Sequence, residues 1–463
     1  MANLTRRTLL GAVGGTVAAT AIPALPAWAE DDLRPGAVRA PQLDKYDRQV
    51  VRALSADWAH KHLRMLSETI GPRIGGTASE KRAADYLESQ LDRFGYRTRL
   101  EPFPVADKFT AQLGDPRGML PDDICWQAGA SPGAAHDVTV TGPAVDVGLA
   151  TAPVWPADVT GAVVLADDNF GARPAFVADA VARGAVAVVL LPTDAVFPRR
   201  AQAFSPSGLT AVPIPVIGVA QIQKQRLREA LKVVTSLPLA ITTTAHRGLT
   251  SHNVIGERRA RGHDAANAPI VMVCGHYDSV IGAPGANDDG SGTVLTLEVA
   301  RVLASLPTEC TLRFALWGSE EQGLIGSRAH VAALSAADRA RHRAVFQNDM
   351  VATSWDPAIT YWLLSFDGLA NAATNAVRAS AQRLGYDPQL TGPVQRGASD
   401  HQSFQEVGIA AANFSWRGEA SPALLEPPYH SPEDTIAKNV SFDRLQVSME
   451  LIGTAAYAAA RKR

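Results

Sequence analysis

The chain has 463 residues, of which 46% are hydrophobic and 19% are charged, and its formal net charge is -2. This composition is typical of a globular protein long enough to form more than one hydrophobic core. The near-neutral charge gives no indication of nucleic acid or an anionic membrane as a partner. No interior run approaches the roughly 18 apolar residues that a membrane-spanning helix needs, so we expect a body that makes no membrane contact.

Residues 1–29 have the features of an export signal. Arg6 and Arg7 open a stretch without Asp, Glu or Lys, and an apolar, Gly- and Ala-rich segment follows them. That segment ends in the A-W-A tripeptide at 27–29, which has the small-residue pattern of a signal-cleavage site. The paired arginines predict export through the twin-arginine pathway. We therefore expect a mature protein in the periplasm or outside the cell.

The rest of the chain divides into three segments. Residues 40–108 predict helices followed by a strand, with a helix over 80–94 and a strand over 96–103. Residues 109–245 differ, because short β-rich runs alternate with Pro and Gly and no carboxylates cluster there. We expect this segment to be a small domain inserted into the first, with the role of a lid or spacer. Residues 246–463 complete the larger domain.

Strands and helices alternate from residue 250 onward. The expected strands are 269–276, 311–317, 344–349, 359–364 and 409–415, and the expected helices are 291–305, 367–384 and 441–460. This alternation predicts an α/β domain with a mixed, largely parallel sheet and helices on both faces. Open sheets of this kind bind their ligands just beyond the carboxyl ends of the strands. Residues that follow the strands are therefore the first candidates for a functional site.

Side chains that bind metals recur at these strand ends. His276 ends the first of the strands, and Asp278 is two residues further on. The other candidates are Asp288 in a Gly-rich loop that opens a helix, Glu320 and Glu321 after the second strand, Asp349 after the third, and His430 in a Pro-rich loop. So many charged ligands would crowd a single ion, which favours two divalent cations that share one bridging carboxylate.

The ligand types indicate which metal to expect. Nitrogen and oxygen donors without thiolate favour Zn²⁺, with Co²⁺ or Mn²⁺ as alternatives. Taken singly, each candidate has a simpler interpretation. The Asp288-Asp289 pair is also typical of a helix N-cap, and the Glu320-Glu321 pair of an exposed loop. The occurrence of all of them at one predicted sheet terminus favours the metal site.

Motifs in this region resemble those of the M28 zinc aminopeptidases. They are HYDS at 276–279, GANDDGSG at 285–292, EEQGLIGS at 320–327 and a late His with Asp-Thr at 430–435, together with a strand-end Asp. The resemblance covers almost the whole catalytic part of the chain. The segment 109–245 resembles the protease-associated domain that several members carry. This resemblance implies an exopeptidase that removes N-terminal residues from peptide substrates, and the signal at residues 1–29 predicts that it is exported.

The resemblance also implies a role for each residue that matches a motif. Asp288 would bridge two zinc ions. Glu321 and His430 would complete the coordination of one ion, and His276 and Asp349 that of the other.

Two further residues are expected to act beside these ligands. By the resemblance, Glu320 would be the general base that takes a proton from the metal-bound water and passes it to the leaving amine. Neighbouring side chains on a turn diverge, so Glu321 can bind metal while Glu320 faces the substrate. Asp278 lies two residues from His276 on an extended strand end, where it is placed to accept a hydrogen bond from the imidazole.

The substrate pocket and the type of exopeptidase are open at this point. Trp416 and Tyr429 flank the site along the sequence and are candidates for the pocket, with core or rim packing as the alternative for both. Arg396 stands where some family members carry a Tyr that polarises the carbonyl. A basic residue there would suit a carboxypeptidase of the same dinuclear type. A non-enzymatic binding module on the same fold is a remote alternative, since every ligand is present.

Overall fold

The computed structural model of the protein describes residues 43–193, 201–260, 265–390 and 392–461. The strands of these residues form two sheets of eight strands each. The predicted export signal, residues 1–29, lies outside the described residues. No helix in the part of the chain that the structure describes is long and apolar enough to cross a membrane.

The main domain begins with three helices and an edge strand: α1 (Lys45–Ala53), α2 (Ala56–Arg64), α3 (Ala78–Arg93) and β1 (Arg97–Pro104). The first two helices begin where Asp44 and Ser55 accept hydrogen bonds from N–H groups of the first turn. The third helix buries Ala83, Ala84, Leu87 and Leu91, whose spacing is the one from which the sequence predicts it. These residues pack into the large core beside the main sheet.

The strands between residues 108 and 246 form a closed barrel. The elements of this segment are β2 (Lys108–Gly114), β3 (Gln127–Ala130), β4 (Val138–Leu149), β5 (Ala152–Pro153), β6 (Val163–Asp167), α4 (Arg173–Ala182), β7 (Ala187–Leu191), β8 (Val216–Gly218), α5 (Gln221–Val233) and β9 (Pro238–His246). Seven strands follow one another in the order β4-β6-β7-β8-β3-β2-β9, and the pairing of β4 with β9 closes the ring. Two hydrophobic clusters consist only of residues of this segment. The barrel thus has a core of its own, and its identification as a protease-associated domain stays a prediction.

The main sheet combines β1 with strands from the C-terminal part of the chain. The elements there are β10 (Thr250–Arg258), β11 (Ile270–His276), α6 (Gly290–Leu303), β12 (Thr311–Trp317), α7 (Ile325–Ala333), α8 (Ala336–Arg341), β13 (His342–Asn348), β14 (Thr360–Ser365), α9 (Ala372–Leu384), β15 (Gln395–Arg396), α10 (His401–Gln405), β16 (Ala411–Arg417), α11 (Ile436–Asn439) and α12 (Phe442–Ala460). The strand order is β1-β10-β12-β11-β13-β16-β14-β15. The central strands β12, β11, β13 and β16 are parallel, whereas β10 and β14 run antiparallel to β12 and β16. The sheet is therefore mixed, as the sequence predicts.

Helices cover both faces of this sheet. Alternate residues of β11 point into different cores, Val271 and Val273 into the one that contains α6, α9 and α12, and Met272 and Cys274 into the one that contains α7 and α10. This two-sided burial explains why β11 and β12 consist entirely of buried residues. The predicted α/β class with helices on both faces is confirmed.

The five strands predicted for this domain agree with β11, β12, β13, β14 and β16 to within two residues at each end. The helix predicted from residue 367 begins only at Ala372, because the Asn371 side chain accepts hydrogen bonds from the N–H groups of Ala373 and Thr374. The strand β10 was not predicted, since its sequence TSHNVIGER has neither an apolar run nor a regular alternation.

The strand β11 is the one on which the functional site depends. It pairs in parallel with β12 on one side and with β13 on the other. The crossover after β11 leads to β12, whereas the crossover after β12 leads to β13 on the other side of β11. A crevice is expected beyond the carboxyl end of the strand at such a change of direction.

A buried arginine joins the loops of this crevice to the N-terminal helices. The Arg73 guanidinium is fully buried and donates to five main-chain carbonyls, at 2.6 to 3.2 Å: those of Leu66, Gly71, Tyr277, Pro284 and Gly285. Burial lowers the pKa of Arg73 to about 10. The side chain therefore stays protonated at neutral pH and keeps all of its donors.

Replacing Arg73 by Met should destabilise the protein by at least about 3 kcal/mol, because several buried carbonyls lose their donor at once. Chemical denaturation followed by circular dichroism measures the change. The control is Arg64→Met, which removes an exposed arginine whose partner is Glu68 on the same helix surface. That change should cost less than about 1 kcal/mol. Equal effects of the two substitutions would contradict the role of Arg73.

Candidate metal centre

His276 lies at the carboxyl end of β11, and its side chain is 1% exposed. Its main-chain N–H donates to Asp289 at 3.1 Å, and its carbonyl accepts from the Thr293 hydroxyl at 2.6 Å. The Nδ1 atom of the ring lies 3.3 Å from the Asp278 carboxylate. The Nε2 atom points into the crevice, 3.3 Å from Oδ1 of Asp288. The loop and the helix therefore hold the main chain of His276, while its ring lies between the Asp278 and Asp288 carboxylates.

Asp288 and Asp289 are neighbours with different functions. Asp289 is the N-cap of α6 and accepts from the N–H of Gly292 at 2.8 Å, so the N-cap interpretation applies to this residue. Asp288 instead turns its side chain into the crevice. Its Oδ2 lies 3.1 Å from Nε2 of His430, while its Oδ1 faces His276. One carboxylate thus stands between two imidazoles.

Glu320 and Glu321 form a short 3-10 turn directly after β12. Asp278 holds this turn, since its two oxygens accept from the main-chain N–H groups of Glu320 and Glu321 at 3.0 and 3.3 Å. The two glutamate side chains diverge. Oε2 of Glu321 lies 3.0 Å from Nε2 of His430, whereas Oε2 of Glu320 lies 4.0 Å from Nε2 of His276.

Asp349 and His430 complete the cluster from other loops. Asp349 follows β13, and its Oδ1 lies 3.7 Å from Nε2 of His276. His430 has a left-handed backbone conformation with φ of 56°. Its ring stacks on that of Tyr429 with 3.8 Å between the centroids. The Nδ1 atom of His430 lies 2.9 Å from Oε1 of Gln202, a residue of the barrel segment.

The five predicted ligands meet in two groups that share Asp288. His276, Asp288 and Asp349 form one group, and Asp288, Glu321 and His430 form the other. Within each group the potential ligand atoms lie within 4.8 Å of one another. The structure therefore brings together residues that are up to 154 positions apart in the sequence, from His276 to His430.

Burial and repulsion between carboxylates shift the ionisation of the cluster. Burial raises the pKa of Glu320 well above its usual value, and Glu321, Asp400 and Asp349 raise it further. Burial disfavours the charged form of His276, but Glu320, Asp278 and Asp288 raise its pKa well above the usual value. Glu321 and Asp288 have the same effect on His430. The crevice therefore stabilises positive charge.

The residues present fit divalent metal ions. All of the donors are imidazole nitrogens and carboxylate oxygens, which suit zinc. Among the buried atoms of the cluster that have no partner in hydrogen-bond geometry within the described residues are Oε1 of Glu321, Oδ1 of Asp349 and Nε2 of His430. Buried polar atoms are normally satisfied, so a set of such atoms aimed at one place indicates a missing partner that accepts lone pairs.

The other predicted site residues are placed differently. Asp278 contacts both His276 and the glutamate turn, and Tyr429 stacks on His430. Trp416 is not part of the site. It is 4% exposed in the large core, where its indole N–H donates to Ser448, so core packing is the correct alternative for this residue. Arg396 is exposed on β15, with its guanidinium 5.8 Å from the centre of the Phe366 ring.

Several residues that support the cluster were not singled out from the sequence. Asp434 accepts from the main-chain N–H groups of Asn287 and Asp288 at 2.9 and 3.0 Å, and Glu426 accepts from the Asn287 side chain at 2.6 Å. Asp434 belongs to the late His motif, which was the available signal. Nothing in the sequence around Gln202 indicates that its side chain reaches His430.

Known proteins are similar to most of this chain. Residues 253–456 match peptidase family M28. Aminopeptidase YwaD of Bacillus subtilis (strain 168) is 34% identical over 428 residues, which cover 92% of this chain and 89% of that protein. The structure of a zinc aminopeptidase from Bacillus subtilis has a TM-score of 0.63 at 32% identity, covering 89% of this chain and 96% of that one. An aminopeptidase from Aneurinibacillus sp. strain AM-1 has a TM-score of 0.55 at 30% identity, covering 90% and 97% of the two chains.

These similarities span both the barrel and the main domain and include the region of the clustered His and carboxylate side chains. The chain therefore belongs to peptidase family M28 and is a hydrolase that acts on peptides.

Proposed function

We propose that the protein is a dinuclear zinc aminopeptidase that removes N-terminal residues from peptides. The observation that carries this proposal is the Asp288 carboxylate, whose oxygens lie 3.3 Å from Nε2 of His276 and 3.1 Å from Nε2 of His430. A carboxylate in that position suits two cations roughly 3.5–4 Å apart. The Bacillus subtilis relatives are an aminopeptidase and a zinc aminopeptidase by name, which supports the same activity and metal here.

In this proposal, Asp288 would be shared by two metal positions. His276 and Asp349 would hold one ion, and Glu321 and His430 would hold the other. Two zinc ions bound there would polarise the scissile carbonyl and acidify water. The same nitrogen and oxygen ligands would accept Co²⁺ or Mn²⁺. Three carboxylates against two divalent cations leave one net positive charge, which favours the negative charge that develops on the attacked carbonyl.

Glu320 is the general base in this proposal. Its Oε2 lies 4.0 Å from Nε2 of His276, farther than the oxygens of Asp288 and Asp349 at 3.3 and 3.7 Å, so it stands beside these ligand atoms. From there it takes a proton from the attacking water and delivers it to the leaving amine. Burial raises its pKa, which favours proton uptake. Asp278 keeps Glu320 in place by accepting hydrogen bonds from the main chain of the turn.

Carboxylates outside the proposed ligand set favour a free amino terminus as the group that anchors the substrate. They are Glu320, Asp278, which holds the glutamate turn, and Asp400, which lies close enough to influence Glu320. An ammonium group is attracted by them, whereas a terminal carboxylate would need Arg or Lys. Arg396, on which the carboxypeptidase alternative depends, is an exposed residue of β15 whose guanidinium lies 5.8 Å from the centre of the Phe366 ring. We therefore prefer an aminopeptidase.

The proposal includes the location of the enzyme and a role for the barrel. Residues 1–29 would direct export through the twin-arginine pathway to the periplasm or the medium, so the folded enzyme would be loaded with metal before export. The segment 109–245 would be a protease-associated domain that acts as a lid or spacer beside the site.

The proposed activity predicts hydrolysis of chromogenic amides of single amino acids. Only substrates with a free α-amino group should be cleaved, because the carboxylates of the site attract an ammonium group. Activity should disappear with a chelator and return with Zn²⁺. Release of the coloured amine measures the rate. Cleavage of N-acetylated dipeptides at comparable rates would instead indicate a carboxypeptidase and would contradict the proposal.

A pair of matched variants tests the general base within the same assay. Glu320→Gln should lower turnover by about 10²- to 10⁴-fold while zinc content is unchanged, because the variant loses proton transfer only. Glu433→Gln is the control, since Glu433 lies near His430 in the sequence and pairs with Lys438 at the surface. Its activity should equal that of the parent enzyme. Normal turnover by Glu320→Gln would exclude the proposed role.

The metal-free protein should become less stable as the pH rises from 5.5 to 8. Burial raises the pKa of Asp400 and Glu426 to about 7 and of Asp434 to about 6 in the folded protein. Unfolded carboxyl groups titrate near pH 4. Between about pH 4 and 7 the folded state therefore binds more protons than the unfolded state. The stabilisation that these extra protons contribute is lost as the pH rises through that window. Thermal unfolding with a chelator present measures this.

Zinc should restore the stability of the protein at pH 8, because cations replace the protons that offset the buried carboxylates. The control is the same pair of pH values with saturating Zn²⁺, where the unfolding temperature should change less. A metal-free protein that is equally stable at both pH values, or more stable at pH 8, would refute this electrostatic explanation.

A further inference from the structure

One side chain of the barrel, that of Gln202, contacts the proposed ligand His430. Gln202 belongs to a short segment that is held on both sides, since the Ala201 carbonyl accepts from the Gln221 N–H at 3.1 Å and the Phe204 N–H donates to the Gly218 carbonyl at 3.2 Å. These contacts tie the segment to β8 and to the start of α5. The position of Gln202 is therefore a property of the barrel and not of a free loop end.

A second glutamine of the barrel contacts the other side of the crevice. Oε1 of Gln127, at the start of β3, accepts from the Gly282 N–H at 2.9 Å. The two backbone segments are so close that a Cβ atom on Gly282 would lie 2.7 Å from the Gln127 carbonyl oxygen. The barrel thus rests on the loop before Asp288 and on the loop of His430. Two contacts at different loops fix the orientation of the barrel relative to the cluster.

The contact between Gln202 and His430 has a chemical consequence. A ligating imidazole must present one nitrogen without a proton, and a hydrogen bond from the other ring nitrogen decides which one it is. Nδ1 of His430 lies 2.9 Å from Oε1 of Gln202, while Nε2 faces Asp288 and Glu321. Donation from Nδ1–H to the amide oxygen leaves the Nε2 lone pair directed at the cluster.

The other imidazole has a partner of a different kind. Nδ1 of His276 lies 3.3 Å from the Asp278 carboxylate, which belongs to the same strand end. His430 lies on an irregular loop, with a left-handed backbone, and its Nδ1 partner comes from a different domain. One metal position therefore depends only on the main domain, whereas the other depends on the docking of the barrel.

We propose that Gln202 is a positioning residue that sets the tautomer and orientation of His430, so that the barrel completes the metal position of Glu321 and His430. This inference rests on the proposed dinuclear function. It gives the inserted segment a role in metal binding in addition to that of a lid or spacer.

Zinc titration of the full-length enzyme and its variants tests this role. Gln202→Leu has nearly the same volume but no acceptor, so it should weaken the binding of one of the two zinc ions by about 10- to 100-fold and leave the other unchanged. Gln202→Glu retains an acceptor and should bind both ions. Calorimetry with a competing chelator measures the two affinities. The visible absorption of the Co²⁺-loaded protein should change in Gln202→Leu only.

The matched control is Gln225→Leu, which removes an exposed glutamine on α5 whose side chain contacts Glu229 within the same helix. It should bind both zinc ions as the parent does. The inference is overturned if Gln202→Leu also binds both ions normally, or if it loses both together with a lower unfolding temperature. A parent enzyme that binds a single ion would overturn the dinuclear function itself, and this inference with it.

Discussion

The structure depends on keeping several carboxylates close together in a place that excludes water. Asp278, Asp288, Glu321 and Asp349 all lie around two imidazoles at the ends of parallel strands, each at most 10% exposed. Taking charges out of water is costly, and like charges at this distance repel one another. The arrangement is stable only with positive charge at its centre. The raised pKa values of both imidazoles indicate that protons partly meet this need when cations are absent.

A second layer of polar contacts holds the carboxylates against this repulsion. Asp434 binds the main chain at Asp288, and Asp278 binds the main chain of the glutamate turn. Arg73 binds the carbonyls of the loops between them. In each case a side chain fixes the backbone that carries a ligand. This explains why loops, together with the strand end at His276, can hold a cluster with fixed distances between its atoms.

Much of the site was predictable because the carboxyl ends of parallel strands lie at one edge of a sheet. That rule, with the family motifs, was enough to choose His276, Asp349 and the two glutamates. The family motif assigned the ligand role to Asp288, whereas the strand-end rule alone does not separate Asp288 from Asp289, since an N-cap and a ligand have the same sequence signal. The hydrogen bond from the Gly292 N–H identifies Asp289 as the N-cap.

Contacts between segments that are far apart in the chain could not be predicted from the sequence. Trp416 stands near the site in the chain, but its strand turns the indole into the core, where Ser448 accepts its N–H. The closure of the barrel depends on the pairing of β4 with β9, almost a hundred residues apart, which no local pattern reveals. For the same reason nothing marked Gln202, whose partner His430 is 228 positions away.

The central claim is that Asp288 bridges two zinc ions. Anomalous diffraction from zinc-loaded crystals, recorded above and below the zinc edge, tests it directly. The data should show two peaks roughly 3.5–4 Å apart, one beside His276 and Asp349 and one beside Glu321 and His430, with one Asp288 oxygen on each. A single peak, or two peaks of which only one contacts Asp288, would contradict the claim.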